Sequence, residues 1–144
     1  VILLLVILMK VLSLREPWAT LIKDKKKFVE TRSWKTNYRG ELYIHASMTK
    51  IDKSTRKRGE LLDLLGTKEF LYGYIICKCT LVDCVYMTQE YVNDMKNNHY
   101  QEYICGEYKE GRYAWILKDI EPLREPINAK GKLGIWNYYN KFEC

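Results

Sequence analysis

The segment Lys27-Phe28-Val29-Glu30-Thr31-Arg32-Ser33-Trp34 holds most of the information about the fold. Its alternating pattern predicts a β-strand, in which Glu30 and Arg32 lie on one face and their neighbours Val29 and Thr31 lie on the other. If the first face is the inside of a small barrel, the acid and the guanidinium must be paired or held for a ligand, because burying either one alone is costly. The alternative is an exposed strand face that carries alternating charges.

Lys27 lies at the turn before this strand, from which its side chain can reach the same opening. A carboxylate, an ammonium and a guanidinium at one opening can recognise a polar heterocycle or transfer protons. Lys27, Glu30 and Arg32 are therefore the candidate catalytic residues.

The rest of the chain predicts more strands than helices. Because no regular helical crossovers join the strands, a parallel α/β sheet is disfavoured. The predicted class is α+β, a small mixed β-barrel covered by two or three helices. The predicted strands are Val11–Leu14, Phe28–Ser33, Glu41–Ala46 (after a turn at Arg39-Gly40), Tyr72–Met87, Arg112–Leu117 and Ile135–Tyr139. Three helices are predicted. The first begins at Pro17-Trp18, the second spans Lys53–Leu65, and the third spans Gln89–Met95, with Thr88 as its N-cap.

The length of 144 residues fits one domain. Residues 1–8 are interpreted as an upstream or vector-derived apolar extension, and residues 9–144 as a single domain that begins at Met9. A helix of nine apolar residues would rise only about 14 Å, far less than the ~30 Å core of a bilayer. No membrane partner is therefore expected.

The cysteines and histidines give no sign of a metal site or a cofactor. The five cysteines are an odd number, and no secretory signal pattern precedes them. Free, buried thiols in a reducing, cytoplasmic compartment are expected. Cys77-x-Cys79 does not have the usual zinc spacing and has no second ligand pair beside it.

The positive charge is concentrated in one quarter of the chain. Residues 23–58 hold twelve basic and four acidic residues, whereas the whole chain has a net charge of +6. Such a concentration attracts polyanions, although a solvated face would have the same composition. Aromatic residues lie among these charges. The candidate nucleic-acid-binding residues are Lys25, Lys26, Arg32, Trp34, Lys35, Tyr38, Arg39, Arg56, Lys57 and Arg58.

Six short motifs, in order, resemble the ASCH domain of the PUA-like superfamily, and the resemblance is nearest to the ASCH domain of the activating signal cointegrator. It covers nearly everything after Met9. The motifs are Ser13-Leu14-x-x-Pro17-Trp18-Ala19-x-Leu21-Ile22, Lys27-x-x-Glu30-x-Arg32-Ser33-Trp34, Arg39-Gly40, Ile44-His45-Ala46-Ser47, Gly73–Asp83 and Gly134-Ile135-Trp136.

This resemblance implies a PUA-like β-barrel with a central cleft lined by Lys27, Glu30 and Arg32. It also implies binding of RNA or of modified bases. One bacterial branch hydrolyses N4-acetylcytidine with a lysine at the position of Lys27 and a threonine at that of Glu30. The glutamate here departs from that branch, whose catalytic acid lies in a later segment, where Glu102 is the candidate.

Three functions follow as hypotheses. The first is a module that binds RNA, another nucleic acid or a modified nucleoside. The second is a small amidohydrolase that acts on N4-acylated cytidine-type nucleosides. The third is an interaction domain for an acidic protein partner. Trp18, Trp115 and Trp136 are expected in the core. The sequence does not indicate the oligomeric state.

Overall fold

The computed structural model describes residues 2–66 and 69–143. Strands and short helices alternate along these two ranges. In chain order they are β1 (Leu4–Leu14), α1 (Trp18–Lys23), β2 (Val29–Arg32), β3 (Gly40–Ala46), α2 (Lys53–Arg56), α3 (Gly59–Leu62), β4 (Tyr74–Tyr86), α4 (Gln89–Asn98), α5 (Tyr100–Ile104), β5 (Tyr113–Asn128) and β6 (Ile135–Glu143).

The strands form one six-stranded sheet in the order β2-β5-β4-β3-β1-β6. Strands β1 and β3 are parallel, and the other neighbouring pairs are antiparallel. The α+β class with few helices is thus confirmed. Within the described ranges no ladder joins the edge strands β2 and β6, so closure into a barrel stays a prediction.

Strands β2 and β3 are not neighbours, although the sequence predicts a turn between them at Arg39-Gly40. β5 and β4 lie between them, and Glu30 of β2 is opposite Trp115 of β5. Gly40 instead begins β3 with a φ of +127°, a conformation that favours glycine. The connection after β2 therefore crosses the sheet rather than turning back on it.

Strand β1 is longer than the predicted Val11–Leu14 strand. Its first part, from Leu4 to Leu8, pairs with β6 while its side chains are largely exposed; burial begins at Met9. The interpretation of residues 1–8 as an extension stays a prediction, and Val1 lies outside the described residues.

The helices differ from the prediction at their ends. Thr88 caps α4 as expected, since its Oγ1 accepts a hydrogen bond of 3.1 Å from the amide of Tyr91. α4 continues to Asn98, three residues past the predicted end. The predicted helix over 53–65 is divided into α2 and α3, because Arg58 has a non-helical backbone (φ −85°, ψ 85°) and glycine, a poor helix former, follows it.

The main core lies on one side of the sheet and includes Trp115, which is fully buried. Trp136 is 6% exposed and belongs to a smaller cluster with Met9 and Val11. The core positions expected for these two tryptophans are therefore correct. No helix in the described part of the chain is long and apolar enough to cross a bilayer.

Candidate functional site

Lys27, just before β2, has its ammonium group held inside the protein. The residue is 1% exposed. Its Nζ donates to the carbonyls of Val29 at 2.5 Å and Cys105 at 2.6 Å, and it lies 3.5 Å from Oε1 of Glu30. An ammonium has three protons and no acceptor. Three acceptors therefore surround Lys27, and its charge is fixed in position.

Glu30 lies between two cations. Its Oε2 is 3.1 Å from Nε of Arg32, while its other oxygen faces Lys27. The Arg32 contact is an ion pair without hydrogen-bond alignment, because Nε has no hydrogen-bond partner within the described residues. Arg32 is anchored instead through Nη2, which donates to the carbonyl of Ser13 at 3.0 Å. A carboxylate has about four lone-pair sites, so Glu30 retains acceptor capacity.

Helix α5 contributes Glu102, which stabilises the backbone next to the cluster of Lys27, Glu30 and Arg32. Oε1 of Glu102 accepts a hydrogen bond of 2.7 Å from the amide of Phe28, which fixes the backbone between Lys27 and β2. Burial raises the pKa of Glu102, and the nearby charge of Lys27 and the backbone hydrogen bonds offset only part of this effect. Glu102 thus holds the site in place and does not line either of the cavities described below.

The loop after α5 approaches β2 closely. The amide of Glu107 donates to Oγ1 of Thr31 at 2.9 Å. A Cβ at Gly106 would come within 2.8 Å of the Thr31 methyl group, so only glycine fits there without movement. The hydroxyl oxygen of Thr31 therefore accepts a hydrogen bond from this loop and links it to β2.

Two adjoining cavities open beside the charged cluster, and together they are called the groove. The Arg58 lobe has a volume of about 400 Å³. The Trp34 lobe has a volume of about 280 Å³. The Arg58 lobe is lined by Trp18, Lys27, Glu30, Thr31, Arg58, Cys105, Gly106, Glu107 and Arg112. The Trp34 lobe is lined by Ser13, Leu14, Arg15, Trp18, Glu30, Thr31, Arg32, Ser33, Trp34 and Arg112.

Each lobe contains an indole ring with a cation close to it. Arg58 lies 5.6 Å and Lys27 6.0 Å from the ring centre of Trp18. Arg32 lies 6.0 Å from the ring centre of Trp34, which is 38% exposed. Trp34 also packs edge to face on Trp115, with ring centres 4.7 Å apart. These distances are typical of cation–π contacts.

Trp18 corrects one expectation of the sequence analysis. It was expected in the core, but it is only half-buried and lines both lobes. Its side chain packs on the cluster of Leu21, Leu61 and Cys105. The break between α2 and α3 brings Arg58 to the ring, and Nη2 of Arg58 also donates to the carbonyl of Ile104 at 2.6 Å.

The structure brings together only some of the candidate residues. Lys27, Glu30, Arg32, Trp34 and Arg58 line the groove. The remaining candidates, which line neither lobe, are Lys25, Lys26, Lys35, Tyr38, Arg39, Arg56 and Lys57.

Several of those remaining residues have other surroundings. Lys25 and Lys26 line a separate, open depression of about 510 Å³. The Tyr38 hydroxyl donates to the carbonyl of Glu41 at 2.5 Å, and burial raises the pKa of Tyr38. Arg39 donates to the carbonyls of Thr36 and Tyr38.

Three further residues line the groove that the sequence did not predict: Arg15, Glu107 and Arg112. Arg112 is held by the carbonyls of Glu107, to which Nε donates at 3.0 Å, and of Thr31, to which Nη2 donates at 3.3 Å. Its Nη2 is also 3.5 Å from the Glu107 carboxylate. Arg112 is far from β2 in sequence, and only the pairing of β2 with β5 brings it close.

The cysteines are free within the described ranges, and Cys144 lies outside them. Burial raises the pKa of Cys79 to about 12 and that of Cys105 to about 11. The pKa of Cys77 is also raised by burial. No group of three or more histidine, cysteine or acidic residues among the residues described could hold a metal ion.

Comparison with known proteins gives one family and one fold. Residues 12–127 match the model of the ASCH domain. The chain is similar to the crystal structure of ASCH from Zymomonas mobilis, with a TM-score of 0.53 and 24% identity over 83% of this chain and 73% of that one. A tyrosine-to-phenylalanine mutant of the same protein has the same TM-score and identity, with 75% of its chain covered. No curated protein matches the sequence significantly.

Proposed function

The chain belongs to the ASCH domain family, and we propose that it binds RNA in the groove between β2, α1 and the loop after α5. ASCH domains are generally thought to bind RNA. Within the family we place it nearest to the ASCH domain of the activating signal cointegrator, on the motifs given above. We extend the same proposal to a PUA-like closure of the sheet, a cytoplasmic location and a domain that spans residues 9–144.

The lining of the groove is the observation that carries this proposal. Five cationic side chains and two carboxylates face it, together with the rings of Trp18 and Trp34. Phosphates are attracted by such a cationic excess, and unpaired bases stack on exposed aromatic rings. The combination of cations and exposed rings fits a nucleic acid, which carries both phosphates and bases that stack, better than it fits an acidic protein surface, which offers mainly charge.

Glu30 and Arg32 are the groups proposed to contact a base edge. The spare acceptor sites of Glu30 suit an exocyclic amino group, as in cytosine, and the free protons of Arg32 suit ring nitrogens or carbonyl oxygens. The outlying basic residues Lys25, Lys26, Lys35, Arg39, Arg56 and Lys57 are proposed to add to the positive field around the groove. Tyr38 is proposed as a further contact at its edge.

Titration of the protein into a labelled single-stranded 12-mer RNA, followed by fluorescence anisotropy, tests the proposal. Arg15→Gln combined with Arg58→Gln removes one cation from each lobe, whereas Lys118→Gln with Lys132→Gln removes two exposed cations elsewhere. We expect the first pair to weaken binding by about tenfold or more and the second pair to change it by less than about threefold. Equal effects of the two pairs would contradict the proposal.

The geometry supports hydrolysis less well than binding. The ammonium of Lys27 donates to two backbone carbonyls and lies 3.5 Å from the Glu30 carboxylate, so its existing contacts hold it in the wall of the groove and leave it poorly placed to reach a substrate. Acetate release from N4-acetylcytidine, compared between the wild type and Glu30→Gln, tests the alternative. Activity that is lost in the variant would favour the amidohydrolase.

Binding to an acidic protein partner is the third hypothesis. It predicts that a polyglutamate peptide of matched charge competes with RNA at similar concentrations, because both would use charge alone. The binding proposal instead predicts that RNA is strongly preferred, since stacking adds to the electrostatic attraction.

A further inference from the structure

We propose that the groove holds two consecutive nucleotides of one strand, with one base in each lobe and the linking phosphate at Arg112. This inference rests on the proposed function and specifies its ligand. It assigns to Arg112 and Trp34 the roles that distinguish a dinucleotide step from a free nucleoside.

The two lobes adjoin along a common set of lining residues. They share Trp18, Glu30, Thr31 and Arg112. Ligand cavities have volumes of roughly 300–1,000 Å³; the Arg58 lobe, at about 400 Å³, is at the small end of this range, and the Trp34 lobe, at about 280 Å³, is just below it. Each is therefore suited to one nucleotide-sized group, and a single nucleoside would leave one lobe empty.

The groove contains two aromatic rings on which bases can stack. Trp18 lines both lobes, whereas Trp34 lines only the Trp34 lobe, with Arg32 6.0 Å from its ring centre. Stacking on an aromatic ring tolerates every base, because every base has a π-face. One ring in the Trp34 lobe and one at the junction of the two lobes therefore match two successive bases of one strand.

Arg112 is held at the junction of the two lobes. Backbone carbonyls hold its Nε and Nη2, and its Nη1 makes no hydrogen bond to any residue that the structure describes. Its side chain lines both lobes and is 20% exposed. A fixed guanidinium with free protons at the junction is well placed to bind the phosphate that links the two nucleotides.

The depth of the groove also restricts the ligand to unstacked bases. Glu30 is 8% exposed and Trp18 is half-buried, so a base inside a duplex cannot reach them. Sequence-specific recognition of RNA commonly uses bases that are splayed out of the stack. The ligand class is thus an unpaired dinucleotide step within a longer strand.

The test compares ligands of increasing length by calorimetry: a 5′-mononucleotide, the dinucleotide, the trinucleotide, and a dinucleotide with an uncharged methylphosphonate link. We expect the dinucleotide to bind at least about tenfold more tightly than the mononucleotide, because it gains one stacked base. The trinucleotide should add less than about threefold. The methylphosphonate should lose about fivefold or more, since the link between the two nucleotides then offers Arg112 no negative charge.

Two variants show which lobe is used. Trp34→Leu should bring the affinity for the dinucleotide down to about that for the mononucleotide. Phe142→Leu alters an aromatic residue of similar exposure on β6 and should change neither. Circular dichroism verifies that both variants are folded.

The inference is overturned if the mononucleotide binds as tightly as the dinucleotide, or if the methylphosphonate binds as well as the natural link. In that case a 12-mer that still binds shows that only the two-nucleotide inference has failed. If the 12-mer does not bind either, the proposed function has failed as well.

Discussion

The ammonium nitrogen of Lys27 lies 3.5 Å from the carboxylate of Glu30, and both groups are buried. The second carboxylate oxygen of Glu30 faces Arg32, so one negative charge lies between two positive ones. The cluster therefore has a net positive charge at the wall of a groove. Burial strengthens such a field, because fewer water molecules screen it.

Replacing Lys27 with methionine tests whether its ammonium group holds the site together. The variant leaves the carbonyls of Val29 and Cys105 without a donor and Glu30 without one of its two cations. We expect a loss of about 3 kcal/mol in the free energy of unfolding, measured by urea denaturation. Lys26→Met, the exposed neighbour, should change it by less than about 0.5 kcal/mol. A Lys27→Met protein as stable as the wild type would refute this role.

Arg58 is expected to contribute one phosphate contact to RNA binding. The logarithm of the affinity for single strands falls with the logarithm of salt concentration by about 0.7 per contact. Arg58→Gln should therefore reduce this slope by about 0.7, measured by anisotropy between 50 and 200 mM salt. Lys118→Gln is the matched control and should keep the wild-type slope. An unchanged slope for Arg58→Gln would mean that this side chain does not meet a phosphate.

Glu102 should make stability depend on pH in the acidic range. Because burial raises its pKa above the ordinary value of 4.5, the folded state binds its proton more readily than the unfolded state does. Its stabilising contribution is then complete below pH 4.5 and is lost as the pH rises through the raised pKa.

The comparison of wild type with Glu102→Gln isolates that effect from the other carboxylates. We expect the Tm of the wild type to decrease relative to that of Glu102→Gln as the pH is raised from 4.5 to 7.5. Differential scanning fluorimetry at matched ionic strength measures the difference. A gap that stays constant over this range, or that changes in the opposite direction, would show that the pKa of Glu102 is not raised.

The thiols should react in a fixed order. Cys77 and Cys79 are buried, and burial raises the pKa of Cys79 to about 12, so the nucleophilic thiolate is rare at neutral pH. In a Cys144→Ser protein we expect the partly exposed Cys84 to react first with iodoacetamide, with the other thiols labelled only after unfolding. Mass spectrometry of the digest identifies the site. Labelling of Cys77 in the folded protein at a similar rate would contradict the structure.

The local part of the site could be predicted from the sequence. Alternation along β2 puts Glu30 and Arg32 on one face, and the structure has them 3.1 Å apart. Thr88 was identified as a cap because a hydroxyl before a helical pattern satisfies an amide within three residues. Both predictions succeed because they depend only on interactions between residues that are close together in the sequence.

The residues of the groove that are far from β2 in the sequence could not be predicted, because tertiary packing brings them there. Arg112 reaches the groove only through the β2–β5 ladder, and Glu107 only through the close approach of Gly106 to Thr31. Arg58 approaches Trp18 because the backbone leaves the helical conformation between α2 and α3, where periodicity alone predicted one helix. Tertiary packing decides each of these, and it can override local helix propensity.

The central claim is that single-stranded RNA binds in the groove that Trp18 and Trp34 line. It is tested most directly by NMR spectroscopy of ¹⁵N-labelled protein titrated with a single-stranded 12-mer. We predict that the largest chemical-shift changes occur at the indole N–H groups of these two tryptophans and at the backbone amides of residues 30–32. The chemical shifts of the backbone amides of residues 138–142 in β6 should not change. Changes confined to β6, or no saturable change at either indole, would contradict the claim.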